Sequence, residues 1–172
     1  KNSFSDKRFD NWTLEKLYES KTLRLAAGKF PGNEFEHLST LPNLRAVNLQ
    51  LSKKISSENY RILGSLIKLN YINFWGVRIN ATDLDQLNHN TIETLILTHS
   101  QPTDELLKVV GKFKNLKELS LEYGTKITDS GIKNLVDLKK LESLNLYHCR
   151  ITNESMEFIS KNFPNINELH VG

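Results

Sequence analysis

Cysteine is nearly absent: Cys149 is the only one in 172 residues. One thiol excludes an internal disulfide framework and any zinc or iron–sulfur site built from several cysteines. Long apolar runs are missing as well. No stretch approaches the ~20 uncharged apolar residues of a membrane-spanning helix, so membrane insertion is not expected. Charge of one sign is also lacking, with 23 Lys and Arg against 20 Asp and Glu and a net charge of +3. That balance describes a mixed surface, not the basic surplus of a nucleic-acid-binding protein. Glycine is scarce, at 8 residues, and unclustered. Neither a phosphate-binding P-loop nor a dinucleotide glycine fingerprint occurs, and G-x-S-x-G and H-E-x-x-H are absent too. The expectation is therefore a non-enzymatic protein with no cofactor and no metal. Hydrophobic residues at 38% and charged residues at 25% fit one globular domain or one array of repeats.

What is present in abundance is a repeat. The apolar pattern L-x-x-L-x-L reads Leu44, Val47, Leu49, then Leu69, Ile72, Phe74, then Ile92, Leu95, Leu97. It continues as Leu116, Leu119, Leu121, then Leu141, Leu144, Leu146, then Ile166, Leu169, Val171. The first anchors lie 25, 23, 24, 25 and 25 residues apart. A degenerate earlier copy has Ser20 at the first anchor, followed by Leu23 and Leu25. The period-two portion of each copy predicts a short strand with one buried face.

The second half of each copy predicts a helix. Ile127, Ile132, Leu135 and Leu138 follow Leu121, and Ile151, Met156, Ile159 and Phe163 follow Leu146, each a single apolar stripe. Acids recur 12 to 14 residues after the first anchor, at Glu34, Glu58, Asp83, Asp104 with Glu105, Asp129 and Glu154. There they meet the positive end of the helix dipole, worth roughly 0.3–1 kcal/mol each. Asn80, Thr128 and Thr152 are the expected N-caps. One strand and one helix cannot bury a face alone, so the units stack into a continuous core. The fold class expected is a right-handed α/β solenoid, with a parallel sheet on the concave side and helices on the convex side.

Leu141–Thr152 reads LESLNLYHCRIT and Leu116–Asp129 reads LKELSLEYGTKITD. These units resemble leucine-rich repeats of the cysteine-containing subtype, within the ribonuclease-inhibitor-like superfamily. The resemblance covers about residues 20–172, as seven units of 23–25 residues. At the cysteine position the other units carry Gly28, Ser52, Val77, Ser100 and Gly124. The resemblance implies a horseshoe used for binding, and it implies little about which partner is bound.

Residues 1–19 include Phe9, Trp12, Leu14, Leu17 and Tyr18, which predict a helix capping the first strand. At the other end no helix follows the strand at Ile166–Val171. Two alternatives stay open there: a chain that continues in its natural form, or an exposed edge that pairs with another molecule, including self-association with a second copy.

The five histidines are His37, His89, His99, His148 and His170. His99 and His148 hold equivalent positions two units apart, which puts their strands about 9.6 Å apart and argues against a shared ion. Cys149 falls in a column of small residues that turns inward, and reads as a buried thiol behaving as a small hydrophobe. Lys53, Lys54, Lys108, Lys112, Lys114, Lys117, Lys139 and Lys140 are interspersed with acids and read as a solvated face.

The register assigns four columns to the concave sheet surface. The first holds Thr22, Ala46, Tyr71, Thr94, Glu118, Ser143 and Glu168, and the second Arg24, Asn48, Asn73, Ile96, Ser120, Asn145 and His170. The third holds Ala26, Gln50, Trp75, Thr98, Glu122 and Tyr147, and the fourth Ala27, Leu51, Gly76, His99, Tyr123 and His148. No position in these columns is expected to serve the core. Tyr71, Trp75, Tyr123 and Tyr147, flanked by His99, His148 and Glu122, are the expected partner-binding residues. Trp and Tyr bury large area at low entropy cost while keeping a polar tip. The expected function is protein–protein interaction through this face, with another protein as partner and no nucleic acid. The alternative is a glycan or surface-ligand receptor of an exported protein.

Overall fold

The structure, a computed structural model, describes residues 22–24, 34–50 and 55–172. Seven three-residue strands lie in chain order: β1 (Thr22–Arg24), β2 (Ala46–Asn48), β3 (Tyr71–Asn73), β4 (Thr94–Ile96), β5 (Glu118–Ser120), β6 (Ser143–Asn145) and β7 (Glu168–His170). They form one parallel sheet in the order β1 to β7. The register runs Thr22, Ala46, Tyr71, Thr94, Glu118, Ser143, Glu168, as the repeat spacing requires. Between strands the chain passes through a 3-10 helix (Glu34–Thr40), then α1 (Ser57–Ser65), α2 (Ala81–Leu84), α3 (Asp104–Val110), α4 (Asp129–Lys133) and α5 (Asn153–Asn162). The expected helix over residues 1–19 lies outside the described residues, as do Ala26, Ala27, Gly28, Leu51, Ser52, Lys53 and Lys54.

A single apolar core runs through the array. Every repeat anchor from Leu44 to Leu146 is at most 1% exposed, and Ile127, Ile132, Leu135 and Leu138 are fully buried. Each anchor is covered by units on both sides. At β7, which pairs only with β6, the same register position falls to Leu169, which is 36% exposed.

Polar contacts hold neighbouring units in step. Ser56, Asn80, Thr103 and Thr152 accept from backbone N–H groups in the first turns of α1, α2, α3 and α5. Thr128 departs from the expected cap. It occupies the N-cap position of α4, but its hydroxyl donates to Asp104 Oδ2 at 2.6 Å and its N–H to Asp104 Oδ1 at 2.9 Å. Asp129 repeats the arrangement on the next unit, accepting the Thr152 N–H and hydroxyl, each at 2.9 Å. The Ser155 N–H also donates to Asp129, at 3.2 Å. The acids at the helix starts are thus more than dipole partners, because two of them clamp the next unit's helix.

One glycine follows from this clamp. A Cβ on Gly131 would stand 2.1 Å from Asp104 Oδ1, so only glycine lets Asp104 reach the start of α4.

The lysines pair off. Lys108 meets Glu105, Lys112 meets Asp85, Lys114 meets Asp137 and Lys117 meets Glu93. Each is a surface pair of modest energy, and together they neutralise the cluster singled out by the sequence. No helix among the described residues is long and apolar enough to cross a membrane.

Candidate partner-binding site

Strand alternation sends Val47, Ile72, Leu95, Leu119 and Leu144 into the core, and their neighbours on either side onto the concave face. The four columns are therefore placed as the register predicts. Their members do not all stay free of structural duty, which corrects that expectation. Asn48, Asn73 and Asn145 each accept from the N–H two residues on, at 3.0, 2.8 and 3.0 Å, and so fix the bend at the strand end. Thr98 and Ser120 are buried and share a hydrogen bond of 2.8 Å between their hydroxyls.

Past the strand end the chain turns through a left-handed residue in each of four successive units. Gly76 has φ 71°, His99 φ 56°, Tyr123 φ 59° and His148 φ 58°. Each donates its N–H to the third-column carbonyl of the following unit, or to Gly172 in the case of His148, at 2.9–3.1 Å. Left-handed backbone costs a residue with a Cβ roughly 1–2 kcal/mol, and glycine escapes that cost. Glycine fills the position once. The other three units carry a ring there.

Those rings form a continuous band. Trp75 meets His99 edge to face at 5.5 Å, and His99 stacks on Tyr123 at 3.9 Å. Tyr123 touches Tyr147 at 6.3 Å and His148 at 4.7 Å, and Tyr147 touches His148 at 4.1 Å. His99, Tyr123, Tyr147 and His148 are exposed, and Trp75 is half-buried. Five of the seven residues expected at the site are thus one physical unit. Tyr71 and Glu122 share the face without joining the ring contacts. Tyr71 is half-buried in the first column, and Glu122 is half-buried in the third, between Thr98 and Tyr147. Among the described residues the side-chain polar atoms of Tyr71, Trp75, Glu122, Tyr123 and Tyr147 find no hydrogen-bond partner.

Tyr123 lies between His99 and His148 in contact with both, so the two imidazoles face its ring and not each other. Among the described residues no group of three or more His, Cys, Asp or Glu side chains is placed to hold a metal ion. His89 stands elsewhere, its ring edge to face with Phe113 at 4.8 Å. Burial holds its imidazole below the ordinary histidine range, against the pull of Asp85.

Cys149 is half-buried, with Sγ 3.4 Å from the Leu121 carbonyl. Burial pushes its thiol up to about 11. A Cβ on Gly124 would come within 3.2 Å of that sulfur and 2.6 Å of the Leu121 carbonyl, which accounts for glycine in the preceding unit. The small-residue column is packing, not chemistry.

The left-handed turns were not anticipated from the sequence. The one available signal was Gly76, aligned in its column with rings.

Comparison with known proteins agrees with this architecture. The family model described as Leucine Rich repeat matches residues 114–136 and 137–160. Among solved structures, internalin C2 of Listeria monocytogenes is similar at 21% identity, with a TM-score of 0.51 over 80% of this chain and 67% of that one. The TLR13–ssRNA13 complex is similar at 20% identity, with a TM-score of 0.54 over 88% of this chain and 21% of that one. No curated protein sequence matches the chain. The fold is an open α/β horseshoe, like that of these solved structures, and the leucine-rich repeat model matches two successive units of it, residues 114–136 and 137–160.

Proposed function

We propose that the protein is a non-enzymatic binding module that grips another protein with the concave face, through Trp75, His99, Tyr123, Tyr147 and His148, supported by Tyr71 and Glu122. The observation that carries this reading is the left-handed column. His99, Tyr123 and His148 hold bulky rings at φ 56–59°, where glycine satisfies the same turn at Gly76. Strain of this kind gathers at functional sites, and here it places rings whose polar tips have no partner within the described residues.

The glycan alternative needs open ring faces. His99 and Tyr123 each spend one face on the other. Nucleic acid is disfavoured by charge. TLR13 is seen with a single-stranded RNA, but among the described positions of the four columns Arg24, on the first strand, is the one Lys or Arg, against the carboxylates of Glu118, Glu122 and Glu168. We further assign the repeats to the cysteine-containing, ribonuclease-inhibitor-like subtype, on the turn sequences around Gly124 and Cys149.

The test is a quantitative comparison of partner capture by the wild type and by W75A/Y147A. The double variant should lose capture while its melting temperature stays nearly unchanged. Undiminished capture by a folded W75A/Y147A would reject this face as the site.

A further inference from the structure

The protein as a whole is basic, with a net charge of +3. Its concave face is not. Across the described positions of the four columns, the formally charged residues are Glu118, Glu122 and Glu168, against one cation, Arg24, beside Asn48 on the first strand. Among the described residues the column just before the strands is balanced: Arg45 and Lys117 stand with Glu93 and Glu142, and Lys117 is tied to Glu93 at 3.0 Å. Lys126 and Arg150 lie off the sheet, where the chain descends towards the helices and pairs with Thr103 and Thr128. The lysines of the helical side are occupied by Asp85, Glu105, Asp137 and Glu154. Most cations thus stand outside the concave face, four of the lysines paired with outer carboxylates, while the face itself carries an excess of carboxylates.

Two of the three inner carboxylates have local work. Glu168 accepts from Ser143 at 2.8 Å and lies 3.0 Å from His170 Nε2. Glu118 accepts from Thr94 at 3.4 Å. Glu122 has no side-chain partner among the described residues. In the third column it has Tyr147 one strand away on one side, and Thr98 and then Trp75 on the other. At the ~4.8 Å strand spacing the backbone of Tyr147 runs about 5 Å from that of Glu122 on one side and the backbone of Trp75 about 10 Å away on the other. A free carboxylate between aromatic side chains suits one chemical group above others. A guanidinium pairs with a carboxylate through two parallel hydrogen bonds and stacks its flat face on aromatic rings, and ring faces attract cations in their own right.

We infer that the occupant of the concave face is a protein segment bearing basic side chains, with an arginine seated on Glu122 between Trp75 and Tyr147. This rests on the docking reading above and adds the partner's chemistry to it. The same arrangement repels a polyanion, because an incoming phosphate would meet Glu118 and Glu122, and the one cation of the described columns, Arg24, stands on β1, four strands away.

The experiment is selection of a displayed random-peptide library on the full chain, followed by affinity measurement on wild type, E122Q, E122R and W75A/Y147A. A single-stranded RNA oligonucleotide is run in parallel. All variants are checked for cooperative melting first. The expected result is enrichment of peptides rich in Arg. Their affinity should fall roughly 10- to 100-fold in E122Q, as expected for losing a hydrogen bond to a charged group, and further in E122R. Binding should weaken with added salt, and the RNA should not be retained. Enriched peptides that need Trp75 and Tyr147 but carry no basic excess, or ignore E122Q, overturn the inference and leave the docking face standing. So does RNA retained in a Trp75- and Tyr147-dependent way. Peptides indifferent to W75A/Y147A, or no enrichment over that variant, overturn both.

Discussion

The His99 imidazole lies flat on the ring of Tyr123, one unit away, with centroids 3.9 Å apart and planes 15° from parallel. Both residues reach this stack from left-handed backbone. The turn and the ring therefore make opposite demands at the same position. Tyr123→Gly relieves the backbone and Tyr123→Ala does not. The glycine variant should be the more stable of the two by about 1 kcal/mol in chemical denaturation, reversing the usual order. Both should lose binding. An alanine variant as stable as the glycine variant would show that the turn carries no strain.

Leu144 and Leu169 hold the same register position on β6 and β7, yet one is fully buried and the other 36% exposed. Leu144→Ala should cost roughly 2–5 kcal/mol, through lost burial and the cavity left behind. Leu169→Ala should cost about 1 kcal/mol or less, because its site is already half open to water. Equal losses in urea melts would mean that β7 is covered in solution.

Acid should loosen the clamp between the last two units. The hydroxyl of Ser155, followed by the N–H of Thr152, holds the Asp129 carboxyl below the ordinary value of 3.8. A depressed carboxyl pKa contributes stability that is present above the unfolded-state value and lost as pH falls through the folded one. The melting temperature of the wild type should thus exceed that of D129N at neutral pH, with the gap narrowing below about pH 4. A gap that stays constant from pH 7 to pH 2 would remove the ionised carboxylate from the account.

The thiol of Cys149, pushed up to about 11 by burial, holds little thiolate at pH 8. Its reaction with a disulfide reagent in the folded protein should run about two orders of magnitude slower than that of free cysteine. Rapid labelling of the native protein would show a reactive site where packing is expected.

The period of the repeat made most of the fold legible. Alternation along each strand has only two phases, so once Leu119 and Leu144 are placed inward, Glu118, Ser120, Ser143 and Asn145 must face outward. That logic also located the ring band. It did not reach features that depend on neighbours one unit away. Asp129 meets Thr152 and Ser155 only when units stack, and from the chain alone it reads as a helix-dipole partner. Asn73 looks like a surface residue until its carbonyl oxygen is seen to hold the Trp75 N–H. The left-handed turn at Tyr123 is a property of the backbone path, and its side chain conceals it where Gly76 hints at it.

Trp75 and Trp12 are the chain's two tryptophans, so a W12F background leaves Trp75 as the sole indole reporter at the centre of the proposed surface. The decisive measurement is its emission as an enriched Arg-bearing peptide is titrated in, with iodide quenching read alongside. Burial under the ligand should shift the emission to shorter wavelength and shield the indole from iodide, at half-saturation concentrations that match the binding curve. Saturated binding with an unshifted, fully quenchable Trp75 would place the ligand elsewhere and contradict the concave face as the site of recognition.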